Sequence, residues 1–301
     1  MRDFLHYICT KILQLETMII VLGLLLFLGG GLALTPEEAH HFVCQESTPS
    51  LRLRVNAHAV SGHHHARPML LERPKPHRRR LVETIVIPDW WNEKTAVGFD
   101  WRDRVQLPDV HQQFTNECFA ETAAVNLDAL WQMAHDDTRS FDPDALAKCA
   151  GEPAGARAMP DEILKLSVPL HPTEGCDVSS EEESLVLAEP IVLCDLWGDQ
   201  DIEEQLETLL SVAPVSVGIQ SQSNYFKLYS SGILTGAHID TGAPIDHAVS
   251  LVGFGEEDGQ QYWILRNSWG TDWGEDGYFR LERGGDNGQL GSYAAVAHAL
   301  Q

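Results

Sequence analysis

Arg266-Asn267-Ser268-Trp269-Gly270, continuing through Trp273-Gly274-Glu275-Asp276-Gly277-Tyr278, is the stretch from which the rest of the chain can be read. It joins two strand-like runs, Tyr262-Trp263-Ile264-Leu265 and Tyr278-Phe279-Arg280-Leu281, through turns rich in glycine and acid. Upstream, Pro214 to Ile219 and His247 to Phe254 have the same texture. Before Pro190 the pattern is helical. Phe119, Ala123, Leu127, Leu130 and Ala134 recur at helical spacing, which predicts one buried face. Asp142-Pro143 opens a second, short helix with an N-cap and a proline at its first position, and Met159 to Ser167 suggests a third. A helical half followed by a β half predicts an α+β molecule of two lobes with a cleft between them.

Three residues on these elements carry nucleophilic chemistry. Cys118 begins the long helix, where unpaired backbone N–H groups favour thiolate over thiol. His247 opens a strand-like run on the β half, and Asn267 lies within the glycine-rich stretch. A helix-borne sulfur facing a strand-borne imidazole would span the cleft.

The motifs around them resemble those of papain-like cysteine peptidases. Asp100-Trp101-Arg102, Gln112 six residues before the cysteine, and Cys118-Phe119-Ala120 are similar to the nucleophile segment of that family. Ile245-Asp246-His247-Ala248-Val249 resembles its histidine segment, and Asn267-Ser268-Trp269-Gly270 through Tyr278 its asparagine segment. The likeness runs from about Phe99 to Leu300. It implies a helical N-terminal lobe, an antiparallel β-barrel-like C-terminal lobe and roles for individual residues. Cys118 would attack the peptide carbonyl, His247 would pair with it, and Asn267 would orient the imidazole under the shield of Trp269, with Asp246 in support. Gln112 and the Cys118 N–H would form the oxyanion hole. Met159, Ile245, Ala248 and Ala295 would line an apolar pocket for the second residue upstream of the scissile bond, as in cathepsin L-like enzymes. Among the remaining cysteines, Cys149 and Cys176 match one family disulfide.

Departures from the family pattern bear on activity. Asn116-Glu117 replaces small residues before the nucleophile and puts a carboxylate beside it. Glu121 stands where an aromatic residue is usual, and Gly155-Ala156-Arg157-Ala158-Met159 replaces the glycines that dock substrate backbone. A catalytically silent peptide- or protein-binding member of the fold is therefore the alternative to an endopeptidase. An exopeptidase would need an insertion that blocks the cleft, and no such insertion is obvious.

Toward the N-terminus, Met18 to Leu34 is an unbroken apolar run preceded by Arg2 and Lys11, readable as a cleaved signal peptide or an anchor. Either sends the rest of the chain into an oxidising, secretory-type compartment: secreted, lysosomal or vacuolar, or membrane-anchored. Residues 35–90 read as a linker or pro-segment, kept extended by Pro68, Pro74 and Pro76 and by the Arg78-Arg79-Arg80 run, and able to act as the chain's own inhibitor. His63-His64-His65 has no further ligand at metal spacing, so no metal or cofactor is expected. Residues 91–301 form the expected peptidase domain. They carry 11 Lys and Arg against 36 Asp and Glu, a balance that repels phosphate backbones and argues against nucleic-acid binding. Six cysteines in 301 residues are too few for a disulfide scaffold, so apolar burial must hold the fold.

Overall fold

The computed structural model describes residues 34–56, 85, 87–94, 98–113, 116–135, 137–138, 140–149, 202–284, 290 and 293–297. It also describes residues 160 and 164 and the short stretches 168–169, 184–185 and 191–194. Backbone contacts divide the chain into residues 1–32 and 33–301, and every described residue belongs to the second unit. Most of the apolar run 18–34, the His63–65 and Arg78–80 runs, Met159 and Cys176 lie outside the described residues.

In chain order the elements are α1 (Pro36–Glu46), β1 (Leu51–Leu53), α2 (Asp89–Lys94), β2 (Phe99–Asp100), α3 (Cys118–His135) and α4 (Pro143–Cys149). They continue with β3 (Val168–Pro169), β4 (Ser184–Leu185), β5 (Ile191–Cys194), α5 (Ile202–Leu210), β6 (Val215–Ile219), α6 (Asn224–Lys227), β7 (Tyr229–Leu234) and α7 (Gly236–Ile239). Last come β8 (His247–Glu257), β9 (Gln260–Arg266), β10 (Tyr278–Glu282) and β11 (Tyr293–Val296). The main sheet runs β1-β7-β10-β9-β8-β6-β11-β5, with β2 paired to β8. The long helix α3 precedes most of the sheet, the expected α+β order, while β1 and β2 come before it and three shorter helices lie among the later strands.

The β8–β9 hairpin sets the distance between two of the chemical segments. Its turn is Asp258-Gly259, both at positive φ (52° and 81°), as a two-residue type I′ connection requires. With Glu257 opposite Gln260 and Ser250 opposite Arg266, the start of β8 and the end of β9 reach the same edge. His247 and Asn267 therefore sit side by side although 20 residues apart.

α3 departs from the one-faced helix the spacing predicted. Ala120, Ala123, Ala124, Val125, Leu127, Leu130 and Trp131 are all buried, whereas Phe119 is half-buried and Ala134 is exposed. A helix apolar on every side lies inside the molecule rather than on its surface. Its buried polar groups are matched: Asn126 donates to Pro214 O (3.0 Å) and accepts from Ala297 N–H (3.1 Å), tying α3 to the start of β6 and the end of β11. α4 starts as expected, with the Asp142 side chain accepting from Asp144 N–H at 3.0 Å.

The segment after Leu34 is not wholly extended. Thr35 and Glu38 form a reciprocal capping box with Pro36 in the first turn, which starts α1. β1 then pairs antiparallel with β7 and buries Leu51 and Leu53. Phe42 packs edge-on against Tyr225, whose hydroxyl donates to Glu46 (2.5 Å), and Arg54 N–H donates to Leu228 O (2.7 Å). Prolines and like charges dominate only the part beyond residue 56.

Candidate active site

Cys118 is the first residue of α3, His247 the first of β8, and Asn267 follows the last residue of β9. Each thus stands at the end of a regular element, where the backbone holds it. The Asn267 Oδ1 accepts the Ser268 N–H at 2.8 Å, and its second contact is His247 Nε2, also at 2.8 Å. An oxygen already accepting a hydrogen bond can only accept another, so Nε2 carries the proton. The neutral ring then has its lone pair on Nδ1, the nitrogen left for an incoming proton.

Trp269 stacks on the His247 ring (centroids 5.1 Å, planes 28° apart) and Phe226 meets Trp269 edge-on at 5.1 Å. His247, Asn267 and Trp269 are each less than 5 % exposed, so this aromatic cover keeps water from the imidazole–amide bond. Asn267 N–H is itself held by Gly277 O at 2.9 Å. Gly277 stands at φ 87°, and a Cβ there would come within 2.6 Å of Val110, so only glycine fits. The third glycine of the decisive stretch is thus part of the asparagine's mounting.

Across the cleft, Cys118 is 9 % exposed and packs with Ile245 and Ala248, the residues flanking the Asp246-His247 pair. The backbone N–H groups of Ala248 and Phe119 point at Sγ, which places the sulfur one residue from His247. Those N–H groups favour thiolate, as the helix tip was expected to. Burial outweighs them and pushes the thiol up to about 11, assisted by the charges of Asp246 and Glu121. Burial also lowers the His247 imidazole, against the Asn267 hydrogen bond and Asp246. Burial thus works against both the thiolate and the imidazolium in this closed arrangement, opposing the pull of the helix tip. Glu121, in the first turn of the same helix, is one glutamate whose charge raises the thiol.

Gln112 is exposed and bridges antiparallel to Trp269, while Gln113 N–H donates to Ser268 O (2.8 Å) and Gly270 N–H to His111 O (3.1 Å). The Ser268 hydroxyl also hydrogen-bonds the Gln113 side chain. Residues 111–113 are thereby laced to the asparagine segment, a mounting that motif reading did not show. Asp246 accepts from Ser221 N–H at 2.7 Å and from the Gln222 amide.

Of the residues expected to line the specificity pocket, Ile245 and Ala248 touch Cys118's cluster, while Ala295 lies buried in the main core on β11. Gly218 on β6 makes room for Ile245, since a Cβ would meet its Cγ2 at 2.8 Å. Cys149 ends α4, but its expected partner Cys176 is outside the described residues, and so is Met159. Cys44 and Cys118 are free thiols. Among the described residues no cluster of His, Cys, Asp and Glu has the makings of a metal site, and no helix is long and apolar enough to cross a membrane.

The model of the papain family of cysteine proteases matches residues 95–298, about two thirds of the chain. The chain belongs to that family. This papain-family chain is 32% identical over 204 residues to the probable cysteine protease RD21C of Arabidopsis thaliana, covering 62% of the chain and 43% of that relative. It is 33% identical over 210 residues to the cysteine proteinase COT44 of Brassica napus, covering 64% and 61%. The chain thus spans about half the length of these relatives. Among solved structures, it superposes on the proform of the ragweed pollen allergen Amb a 11 with a TM-score of 0.65 (21% identity, 87% of each chain). Digestive procathepsin L 3 of Tenebrio molitor gives 0.60 at 19% identity, again over 87% of each chain. Both establish the two-lobed α+β papain-like fold.

Proposed function

We propose that the chain is a cysteine-type endopeptidase in which Cys118, His247, Asn267 and Gln112 carry the reaction. The observation that carries this reading is the His247 Nε2–Asn267 Oδ1 bond, because it leaves Nδ1 as the base for the sulfur at the tip of α3. His247 Nδ1 takes the thiol proton, and the resulting thiolate Sγ attacks the peptide carbonyl carbon. The carbonyl oxygen becomes an oxyanion, received by the Cys118 N–H and the Gln112 amide; one such donor typically lowers the barrier by about 3–4 kcal/mol. The imidazolium then returns its proton to the leaving amine, and the acyl-enzyme remains. Water, deprotonated by the same imidazole, releases the carboxylic acid and restores the thiol.

The apolar wall of Ile245 and Ala248, with Met159 and Ala295 as its expected continuation, favours hydrophobic side chains at the second position upstream of the cut. Residues 35–90 act as the pro-segment and inhibitor, and the chain works in a secretory or vacuolar compartment. The docking of α1 and β1 against β7 and Tyr225 supports the pro-segment reading. A silent peptide-binding protein is the second reading, favoured by the burial that pushes the Cys118 thiol up to about 11.

Iodoacetamide labelling resolved by site, together with hydrolysis of a fluorogenic peptide, separates the two. Rapid labelling of Cys118 that is lost in His247→Ala, with turnover lost in Cys118→Ser, is the expected result. Labelling no faster than that of the denatured thiol, with no turnover, would reject the enzyme in favour of the binding protein.

A further inference from the structure

Glu121 is 7 % exposed, and the group in contact with its carboxylate is the imidazole of His111, whose Nδ1 donates to Oε1 at 2.5 Å. His111 itself is nearly half-exposed. The two residues belong to different elements: His111 to the loop that carries Gln112, Glu121 to the first turn of α3, three residues after Cys118. The bond lies at one end of a cavity of about 330 Å³ that follows α3 along Glu121, Val125 and Asp128. Arg266, one residue before Asn267, closes another wall and donates to Pro108 O (2.6 Å) and Asp109 O (2.9 Å), the carbonyls just before His111. The neighbours in sequence of Gln112, Cys118 and Asn267 thus meet behind the site.

We propose that His111 and Glu121 form a positioning pair that fixes the oxyanion donor Gln112 against the nucleophile's helix. The ladder of residues 111–113 with 268–270 ties Gln112 to the asparagine segment, whereas the His111–Glu121 bond ties it to α3. Both ties are needed to set one spacing between Gln112 and Sγ, because Gln112 itself is exposed. The inference rests on the proposed peptidase reading and adds two residues to it, neither of which touches substrate.

The pair is held by charge as well as geometry. Glu121 raises the His111 imidazole, and Asp142 and Asp144 at the start of α4 act in the same direction. Burial raises the Glu121 carboxyl, opposed by His111 and Arg266, with Asp144 on the raising side. Asp109 and Asp128 complete the charged wall of the cavity. Deprotonation of His111 therefore leaves a buried carboxylate without its cation and loosens the tie as pH rises.

The test compares the full chain with Glu121→Gln, His111→Gln and His111→Lys. In the two glutamine variants kcat should fall about 10-fold or more with KM within about 2-fold, since small displacements of a catalytic group cost that much. Alkylation of Cys118, which needs the thiol and His247 but no oxyanion donor, should keep its wild-type rate or, in Glu121→Gln, rise slightly. His111→Lys should regain most of kcat and move the alkaline limb of kcat to higher pH while the alkylation profile stays in place. Amide exchange at Gln113 and Gly270 should quicken in Glu121→Gln while that of β8 is unchanged. A wild-type chain that turns over, with variants that match its kcat and exchange, overturns the pair and leaves the peptidase reading intact. A fall in melting temperature alone, with kcat and its pH profile unmoved, overturns it too. A wild-type chain without turnover rejects the peptidase reading itself, and the inference with it.

Discussion

Replacing Asp128 with asparagine should stabilise the protein, by about 1–2 kcal/mol at pH 5 and by about 4 kcal/mol at alkaline pH. Asp128 is 1 % exposed on the seventh residue after Glu121 of the same helix, and its carboxylate accepts from Phe141 N–H (2.7 Å) and the Ser140 hydroxyl (3.3 Å). Those bonds and the charge of Arg266 favour the anion, but burial wins and pushes the group up to about 7. A carboxyl raised from its unfolded value of 3.8 binds more protons folded than unfolded between those two values. Stability therefore falls as pH climbs through that window, the reverse of a salt-bridged aspartate. Three units correspond to about 4 kcal/mol in full, of which about 3 kcal/mol is spent between pH 5 and pH 8. Asparagine keeps the acceptor for Phe141 N–H, its NH₂ can donate to the Ser140 oxygen, and it carries no charge to desolvate. Urea unfolding of both proteins at pH 5, 6.5 and 8 gives the comparison. The difference between variant and wild type should grow by about 2–3 kcal/mol across that range, after His111 and Glu121, common to both, cancel. A difference that is flat with pH, or a variant less stable at pH 8 than the wild type, would refute the account of Asp128 as a buried acid held near neutrality.

Gly232→Ala should free the β1 segment selectively. Its φ is 104° and a Cβ there would come within 2.0 Å of Ser50 O, a backbone atom that cannot rotate away. Exchange of the Arg54 amide, which donates to Leu228 O, should quicken about 10-fold or more while β8 and β9 amides hold their rates, given about 1–3 kcal/mol of backbone strain. Unchanged exchange at Arg54 would show that β1 does not depend on this close approach. Asn267→Ala removes the acceptor that fixes the His247 ring, a charge-assisted bond worth about 2 kcal/mol once the imidazolium forms, so kcat should drop about 30-fold with little change in KM. An unaltered kcat in that variant would mean that Trp269 stacking alone orients the ring. Asn126→Ala leaves Pro214 O and Ala297 N–H buried without partners and should cost about 2–4 kcal/mol in urea unfolding, with the loss in the midpoint rather than in the slope.

How far the sequence could be read depended on whether the deciding contact was local. The segments around Cys118, His247 and Asn267 announce themselves because each needs a particular chemistry beside a particular turn, and the turn residues lie within the motif. The β6, β8, β9 and β10 strands were legible for a similar reason, and the Asp258-Gly259 turn fixes the pairing of two of them. α1 was missed although its Thr35–Glu38 box is plain in the sequence, because the prolines and arginines further along dominated the reading of the whole segment. The burial of the thiol was not legible at all. Position at a helix tip is a property of sequence, but the burial that overrides it comes from Ile245 and Ala248, more than 120 residues away.

The acidic residues give the same lesson in a different form. A net charge of −23 reads as a solvated surface, yet Glu121 and Asp128 on α3 and Asp246 just before β8 are all buried. Each is tolerated for its own reason: Glu121 by an imidazole from the oxyanion loop, Asp128 by the N–H and hydroxyl of residues 140–141, Asp246 by Ser221 N–H and the Gln222 amide. No one of these partners is visible from the carboxylate's own sequence neighbourhood. Two of the three, Glu121 and Asp246, raise the nucleophile, so whatever neutralises Glu121 also eases formation of the thiolate while removing the tie on Gln112. The two effects oppose each other in the rate, and they are separable because alkylation of Cys118 reads the first and kcat reads both. In Glu121→Gln alkylation that holds or rises slightly while kcat falls is the signature of a carboxylate retained for where it holds a loop, at a standing cost to the sulfur beside it.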